Sequence, residues 1–193
     1  MAERDQLKWN RKYTETPALL QPRPPSGMVA KWFSLAGGRE AVDLACGSGK
    51  NAIFLAKQGF HVDAFDISEV ALAHLRKQAA SLAVTASQTD LDTFTPAPGR
   101  YDLAVMANYL DRALICRTAE ALRIGGLFIV ETYMEDPANE KEGSNPAFLL
   151  KKGELLKLFD AAFTVVEYRE FWNESYERYR MKKASIVVKK RGS

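Results

Sequence analysis

The sequence predicts an α/β domain: a mostly parallel central sheet, with helices on both faces, closed by an antiparallel pair of strands. Three observations carry this. Five short apolar runs alternate with helix-like segments, the pattern of strands joined by crossover helices. A glycine-rich turn stands between the first of these runs and its helix. The last two runs, "FTVVEYREF" and "KASIVVKK", have no helix between them, so they should be antiparallel neighbours. A chain of 193 residues, 47% hydrophobic and 26% charged, suits one globular domain with a full sheet. We divide it into an N-terminal helix and linker, 1–25, and a core, 26–193.

Residues 1–16 read as a polar helix with Trp9 and Tyr13 on one face, suited to packing on the body or to lying over a ligand mouth as a lid. Pro22, Pro24 and Pro25 then forbid regular helix. Ser26 can cap a helix running to about Leu35, which Gly37 and Gly38 end. The first strand is Glu40 to Ala45, and a helix from Lys50 to Lys57 follows the glycine turn. The second strand, in "FHVDAFDIS", ends at Asp66. Ser68 caps the next helix, whose Ala71, Leu72, Leu75 and Ala79 keep helical spacing. A third strand in "AVTASQTDLDTF" precedes Asp90 and Leu91. The fourth, a buried-type run in "YDLAVMANYLDR", opens into Asn108 and Tyr109, and a helix from Arg112 to Leu122 follows. The fifth, in "IGGLFIVETY", ends at Glu131, Thr132 and Tyr133. Residues 134–147 lack periodicity and read as a mobile loop. A helix from Gly153 to about Asp160 precedes the closing pair.

The chain is organised around residues 41–51, "AVDLACGSGKN". Strand, glycine turn and helix in that order let backbone press against a ligand and turn helix N–H groups towards it. Asp43, inside the strand, needs partners in order to be buried, from a ligand or from amides of the turn. Gly47, Gly49 and Ala52 also satisfy the loose nicotinamide-cofactor spacing G-x-G-x-x-A, but Asp43 to Cys46 intervene between strand and first glycine. "GSGKN" does not fit a Walker phosphate loop. Asp66, 17 residues beyond Gly49, falls at the tip of the neighbouring strand, where a carboxylate can accept from both ribose hydroxyls of an adenosine, or cap its own turn. Asp90 can accept from an adenine amine while Leu91 covers the ring, although "TDLD" is also good turn chemistry.

Composition narrows the partners. No apolar run reaches the ~18 residues a membrane helix needs, and the charged "MAERDQLKWNRKY" has no apolar core of a secretory signal. Cys46 and Cys116 make no disulfide framework, so we expect reduced thiols and a cytoplasmic protein. Net charge is +3, with Lys and Arg gathered in "YERYRMKK" and "KKRGS", which reads as a solvated end rather than a nucleic-acid surface. No metal-ligand spacing appears, and His61 and His74 suggest no local motif.

Taken together, Asp43 with "GSG", Asp66, "DL" at 90–91 and the closing hairpin resemble a class I S-adenosylmethionine-dependent methyltransferase. "FLLKKGEL" at 148–155, "VDAFD" at 62–66 and "KY" at 12–13 are similar to the tellurite-resistance methyltransferase group. The resemblance implies a Rossmann-like seven-stranded sheet, an N-terminal segment closing over the cofactor, and S-adenosyl-L-methionine as that cofactor. By the same resemblance Asp43, Ala45, Gly47 and Gly49 hold the methionine portion, Asp66 and Ile67 the ribose, and Asp90 and Leu91 the adenine. Trp9, Tyr13, Cys46 and Asn51 join the cofactor set. Asn108 and Tyr109 line the methyl-transfer face. The family carries a His-Arg pair between its last two strands; here "FWNESYERYR" has no histidine, leaving Arg178 and Arg180 to hold an anionic acceptor. We expect a small-molecule acceptor, a thiol or a chalcogen oxyanion such as tellurite among the candidates. An RNA methyltransferase, a nicotinamide dehydrogenase and a non-catalytic cofactor-binding module are the competing readings.

Overall fold

The computed structural model describes residues 2–175 and 177–192. Seven strands form its sheet: β1 (Glu40–Leu44), β2 (His61–Asp66), β3 (Val84–Gln88), β4 (Leu103–Ala107), β5 (Leu127–Tyr133), β6 (Phe163–Trp172) and β7 (Lys182–Lys190). They lie in the order β3-β2-β1-β4-β5-β7-β6. The first five are parallel; β7 runs antiparallel to both β5 and β6. The helices are α1 (Ala2–Glu15), α2 (Gly27–Trp32), α3 (Lys50–Lys57), α4 (Glu69–Gln78), α5 (Arg112–Ala121) and α6 (Glu154–Lys157).

Helices cover both faces, as the alternation requires. On one face Met28 and Val29 of α2, Leu55 of α3, and Leu72 and Leu75 of α4 pack on Val62, Val105, Ile129 and Val187. On the other, Leu114 and Ile115 of α5 and Leu155 of α6 pack on Leu44, Met106, Val130 and Ile186. Burying such parallel strands on both sides is what their near-continuous apolar runs predict. The final strand lies inside the sheet rather than at its edge. Its "ASIVV" is buried throughout, whereas β6 carries charges at Glu167, Arg169 and Glu170 and forms the edge.

One local expectation is corrected. The helix expected from Gly153 to Asp160 is only Glu154–Lys157, because Gly153 is left-handed (φ 68°) and the chain turns at Leu158. Loop 134–147 bonds to the connection between β6 and β7. Glu140 N donates to Arg180 O (3.0 Å), Arg180 N to Glu140 Oε2 (2.7 Å) and Lys182 N to Asn139 Oδ1 (2.7 Å). In contrast, Ser26 caps α2 as expected, accepting from Met28 N.

β6 contains a bulge. Val165 faces Val188 and Glu167 faces Val187, so Val166 is the extra residue. Beyond it Glu167 turns towards α2, accepting from Lys31 Nζ (2.7 Å) and Trp32 Nε1 (2.5 Å). Lys31 and Trp32 hold its carboxyl below the usual range.

A buried polar chain joins α2, β5 and β7. Ser26 N donates to Asn51 Oδ1 (2.9 Å), and Ser26 Oγ to Glu131 Oε2 (2.7 Å). Lys183, 1% exposed, lies 3.6 Å from Glu131 and 3.6 Å from Glu174, and donates to Glu177 at 3.1 Å. Burial alone would lower the Lys183 pKa, but Glu131, Glu177 and Glu174 hold it above its ordinary value. Removing one partner of a buried ion pair strands the rest, typically at about 3–5 kcal/mol. Lys183→Ala should therefore lower unfolding free energy in urea by about that amount; a loss under about 1 kcal/mol would mean the carboxylates are served by solvent.

Candidate cofactor site

The sheet reverses its winding between β1 and β4. β1 leads into α3 on one face and β4 into α5 on the other, which opens a crevice beyond the strand tips. Such switch points are where open α/β sheets bind ligands. Among the described residues only two non-glycines have positive φ, Ala45 (55°) and Asn108 (59°), and they stand directly after β1 and β4. A left-handed alanine has no polar side chain to compensate, and such residues typically cost about 1–3 kcal/mol. Gly47 (φ 55°) and Gly49 (φ 84°) continue the turn. A Cβ on Gly49 would come 2.2 Å from Leu75 Cδ1, so this glycine is needed for helix packing as well as for its φ.

Asp66 joins the walls of the crevice. Its Oδ2 accepts from Gly47 N (2.8 Å) and its Oδ1 from Ser68 N (2.8 Å). The carboxylate is 8% exposed, and burial raises its pKa while these amides lower it. Each oxygen has a second lone pair, so the group can hold the turns and still accept from a hydroxyl. Ile67 is half-buried beside it. These features fit an adenosyl ligand: an acceptor pair at a strand tip, beside left-handed backbone whose glycine leaves no room for a Cβ.

α1 lies over this crevice. A Cβ on Gly47 would come 2.6 Å from the Tyr13 hydroxyl, so Tyr13 rests directly on the turn. Burial, then Asp66 and Cys46, push its phenol above the usual range. Trp9 is half-buried next to Tyr13, their rings 6.2 Å apart. At the other end, the Asp5 carboxylate helps to raise Tyr109, after burial, Asp111, Asp92 and Asp90. One residue between, Asn10, was not singled out in the sequence. Its Oδ1 accepts from Ser68 Oγ (2.8 Å) and Val70 N (3.3 Å) at the start of α4. A polar side chain on a polar helix gives no local sign of such a contact.

Several expected contacts are turned elsewhere. Asp43 is 1% exposed and accepts from Ala52 N (3.0 Å), so the first turn of α3 supplies its partner. Asn51 is buried against Ser26 N and serves α2 rather than the crevice. Cys46 contributes loop backbone, its N donating to Phe65 O (3.0 Å), while burial holds its thiol well above the usual pKa. Leu91 packs in the core with Val42 and Leu44, and Asp90 accepts from Asp92 N (3.0 Å) in its own turn. Asn108 is exposed and donates its backbone N–H to Glu131 O (2.7 Å). Arg178 is exposed, its guanidinium over the Tyr179 ring, and Arg180 stacks on Trp172. The position sequence reasoning passed over is Lys183, and Tyr133 donates to the same Glu177 that Lys183 meets (2.6 Å).

Residues 41–126 match a family model described as a methyltransferase domain. The fold around them is shared with solved structures of S-adenosylmethionine-dependent methyltransferases, the fold the motifs suggested. Over 88 residues the chain is 33% identical to the ribosomal protein L11 methyltransferase of Campylobacter fetus, covering 46% of this chain and 32% of that protein. Over 98 residues it is 34% identical to the putative methyltransferase YqeM of Bacillus subtilis, covering 47% and 40%. TehB from Haemophilus influenzae, a solved structure, matches with a TM-score of 0.75 at 20% identity, over 86% of this chain and 63% of that one. The chain spans less than half the length of the curated relatives it matches.

Burial pushes the Asp43 carboxyl from the usual 3.8 up to about 7, with Asp66 acting the same way. The folded protein therefore holds this proton more tightly than the unfolded chain. Its stabilising contribution is complete below about pH 4 and is lost as pH rises through about 7. Asp43→Asn removes the titration, so the melting temperature of the variant relative to the parent should climb between pH 4 and 7 and level off above. Thermal unfolding across that range checks it; a constant difference would show Asp43 ionised throughout.

Proposed function

We propose that the chain is a catalytic domain, residues 1–193 with 1–25 as lid, that transfers a methyl group from S-adenosylmethionine to a small-molecule acceptor. The observation that carries this is Asp66, held by Gly47 N and Ser68 N at the tip of β2 beside the left-handed turn. When bound, the cofactor supplies a methyl group already activated on a sulfonium. Asp66 and Ile67 would hold its ribose, and Ala45, Gly47 and Gly49 its methionine end. The protein's share of the work is orientation, which can contribute ~7–11 kcal/mol.

The tyrosines are suited to that share. Burial raises the phenols of Tyr13, Tyr109 and Tyr133 above their ordinary value, so each keeps its proton and acts as a donor or a wall, not as a base. The charge beside β5 supports a neutral or cationic acceptor over an oxyanion. Lys183 meets three carboxylates there, and Arg178 and Arg180 stack on aromatic rings. Nor do the C-terminal lysines favour RNA. Lys183 is internal, and Lys190 donates to Leu122 O (2.9 Å) and also to Glu120 O at the end of α5. Cys46 and Cys116 are free thiols, in keeping with a cytoplasmic protein.

Calorimetry should detect S-adenosylmethionine binding that Asp66→Ala weakens by ~1–3 kcal/mol, the scale of lost hydrogen bonds to a buried polar ligand. Unchanged affinity would remove Asp66 from the site. Labelled-methyl transfer to a panel of amines, thiols, a lysine peptide, tellurite and selenite should favour the amines and thiols. Turnover confined to the oxyanions would overturn the charge argument, and none at all would support a non-catalytic module.

A further inference from the structure

Building on the cofactor reading, we infer that Asn10 is a positioning residue that latches α1 over the bound cofactor and reports occupancy of the Asp66 site to that helix. The first turn of α4 shows how. A helix leaves its first N–H groups without partners inside the helix. Here Ser68 Oγ accepts from Ala71 N (3.3 Å), as an ordinary N-cap does. The N–H before it, Val70 N, is satisfied from outside by Asn10 Oδ1 (3.3 Å). The same oxygen accepts the Ser68 hydroxyl proton (2.8 Å), so one side chain of α1 completes the cap of α4.

The cap is continuous with the ligand site. Ser68 N donates to Asp66 Oδ1, and Asp66 Oδ2 accepts from Gly47 N, above which the Tyr13 hydroxyl rests. A chain of hydrogen bonds thus runs from Asn10 through Ser68 to the carboxylate and on to the turn, and Tyr13 closes it back onto the helix that carries Asn10. Asn10 and Tyr13 lie on one face of α1, three residues apart. A ribose accepted by Asp66 fixes the carboxylate, which fixes the Ser68 turn, which fixes the acceptor pair for Asn10. Conversely, α1 has to release Asn10 before Tyr13 can lift from Gly47 and let a ligand leave. Asn10 touches no ligand itself; it acts through Ser68 and Tyr13.

Stopped-flow displacement of S-adenosylhomocysteine tests this. Asn10→Ala should raise the off-rate about tenfold, the scale of two lost hydrogen bonds to a polar partner. Asn10→Asp, which keeps the acceptor oxygen, should restore it. In a double-mutant cycle with Ser68→Ala the two losses should be less than additive. Thermal unfolding of Asn10→Ala within a few degrees of the parent separates latch loss from damage to the fold. Should the variant fall further, hydrogen exchange of residues 2–15 in the parent serves instead, and their protection should rise when S-adenosylhomocysteine is added. Tight binding by the parent with an unchanged off-rate in Asn10→Ala, or no added protection of α1, overturns the latch alone. No binding by the parent overturns the cofactor reading and the latch with it.

Discussion

The buried carboxylate of Asp66 is the constraint on which the site's geometry depends. Its two oxygens hold two turns that come from different strands: the one after β1, through Gly47, and the one after β2, through Ser68. A carboxylate that is 8% exposed is costly unless donors surround it, and backbone amides are donors that cannot swing away. One of them, Gly47 N, comes from the loop after β1, whose backbone is left-handed at Ala45, Gly47 and Gly49. The left-handed loop that includes Ala45 and the burial of Asp66 therefore meet at Gly47 N.

Much of this was legible in the chain and some was not. The strands, the glycine turn, the N-cap at Ser26 and the tip position of Asp66 are local features, written in apolar periodicity and turn chemistry. What escaped depends on pairing across distance. "KASIVVKK" shows an antiparallel partner for β6, but its position between β5 and β6 becomes apparent only when the charges of β6 are set against it. Lys183 looks like one more basic residue near a polar end, and its burial is fixed by glutamates that are 6, 9 and 52 residues away. Asn51 and Leu91 sit where a cofactor contact is plausible by spacing, but the side chain of one faces α2 and that of the other faces the core. Spacing locates a backbone position; it does not say which way the side chain is turned.

The same distinction governs the segments beside the end of β5. Arg178 and Arg180 are the residues a reader of the sequence would give to an anion, yet both stack on neighbouring rings. The cation that is internal, Lys183, is outnumbered by carboxylates, two of which come from the connection before β7. Loop 134–147 and this connection are stitched together through Asn139, Glu140 and Arg180, so the wall beside the end of β5 is built from two segments whose shapes depend on each other.

The bulge at Val166 has a further effect on the architecture. With Val165 opposite Val188 and Glu167 opposite Val187, the extra residue lets two successive side chains, Val166 and Glu167, face the layer of α2, where strict alternation would allow one. Val166 packs on the cluster that holds Met28 and Val29, and Glu167 supplies the carboxylate that Lys31 and the Trp32 indole share, so deleting Val166 would remove the apolar half of this contact. Because Ser26, at the other end of that short helix, is bonded to Glu131, an irregularity at the rim of the sheet sets how firmly the middle of the molecule is clamped. A one-residue difference in this outermost strand is thus a means by which related chains could loosen or tighten α2 without altering any residue at the crevice.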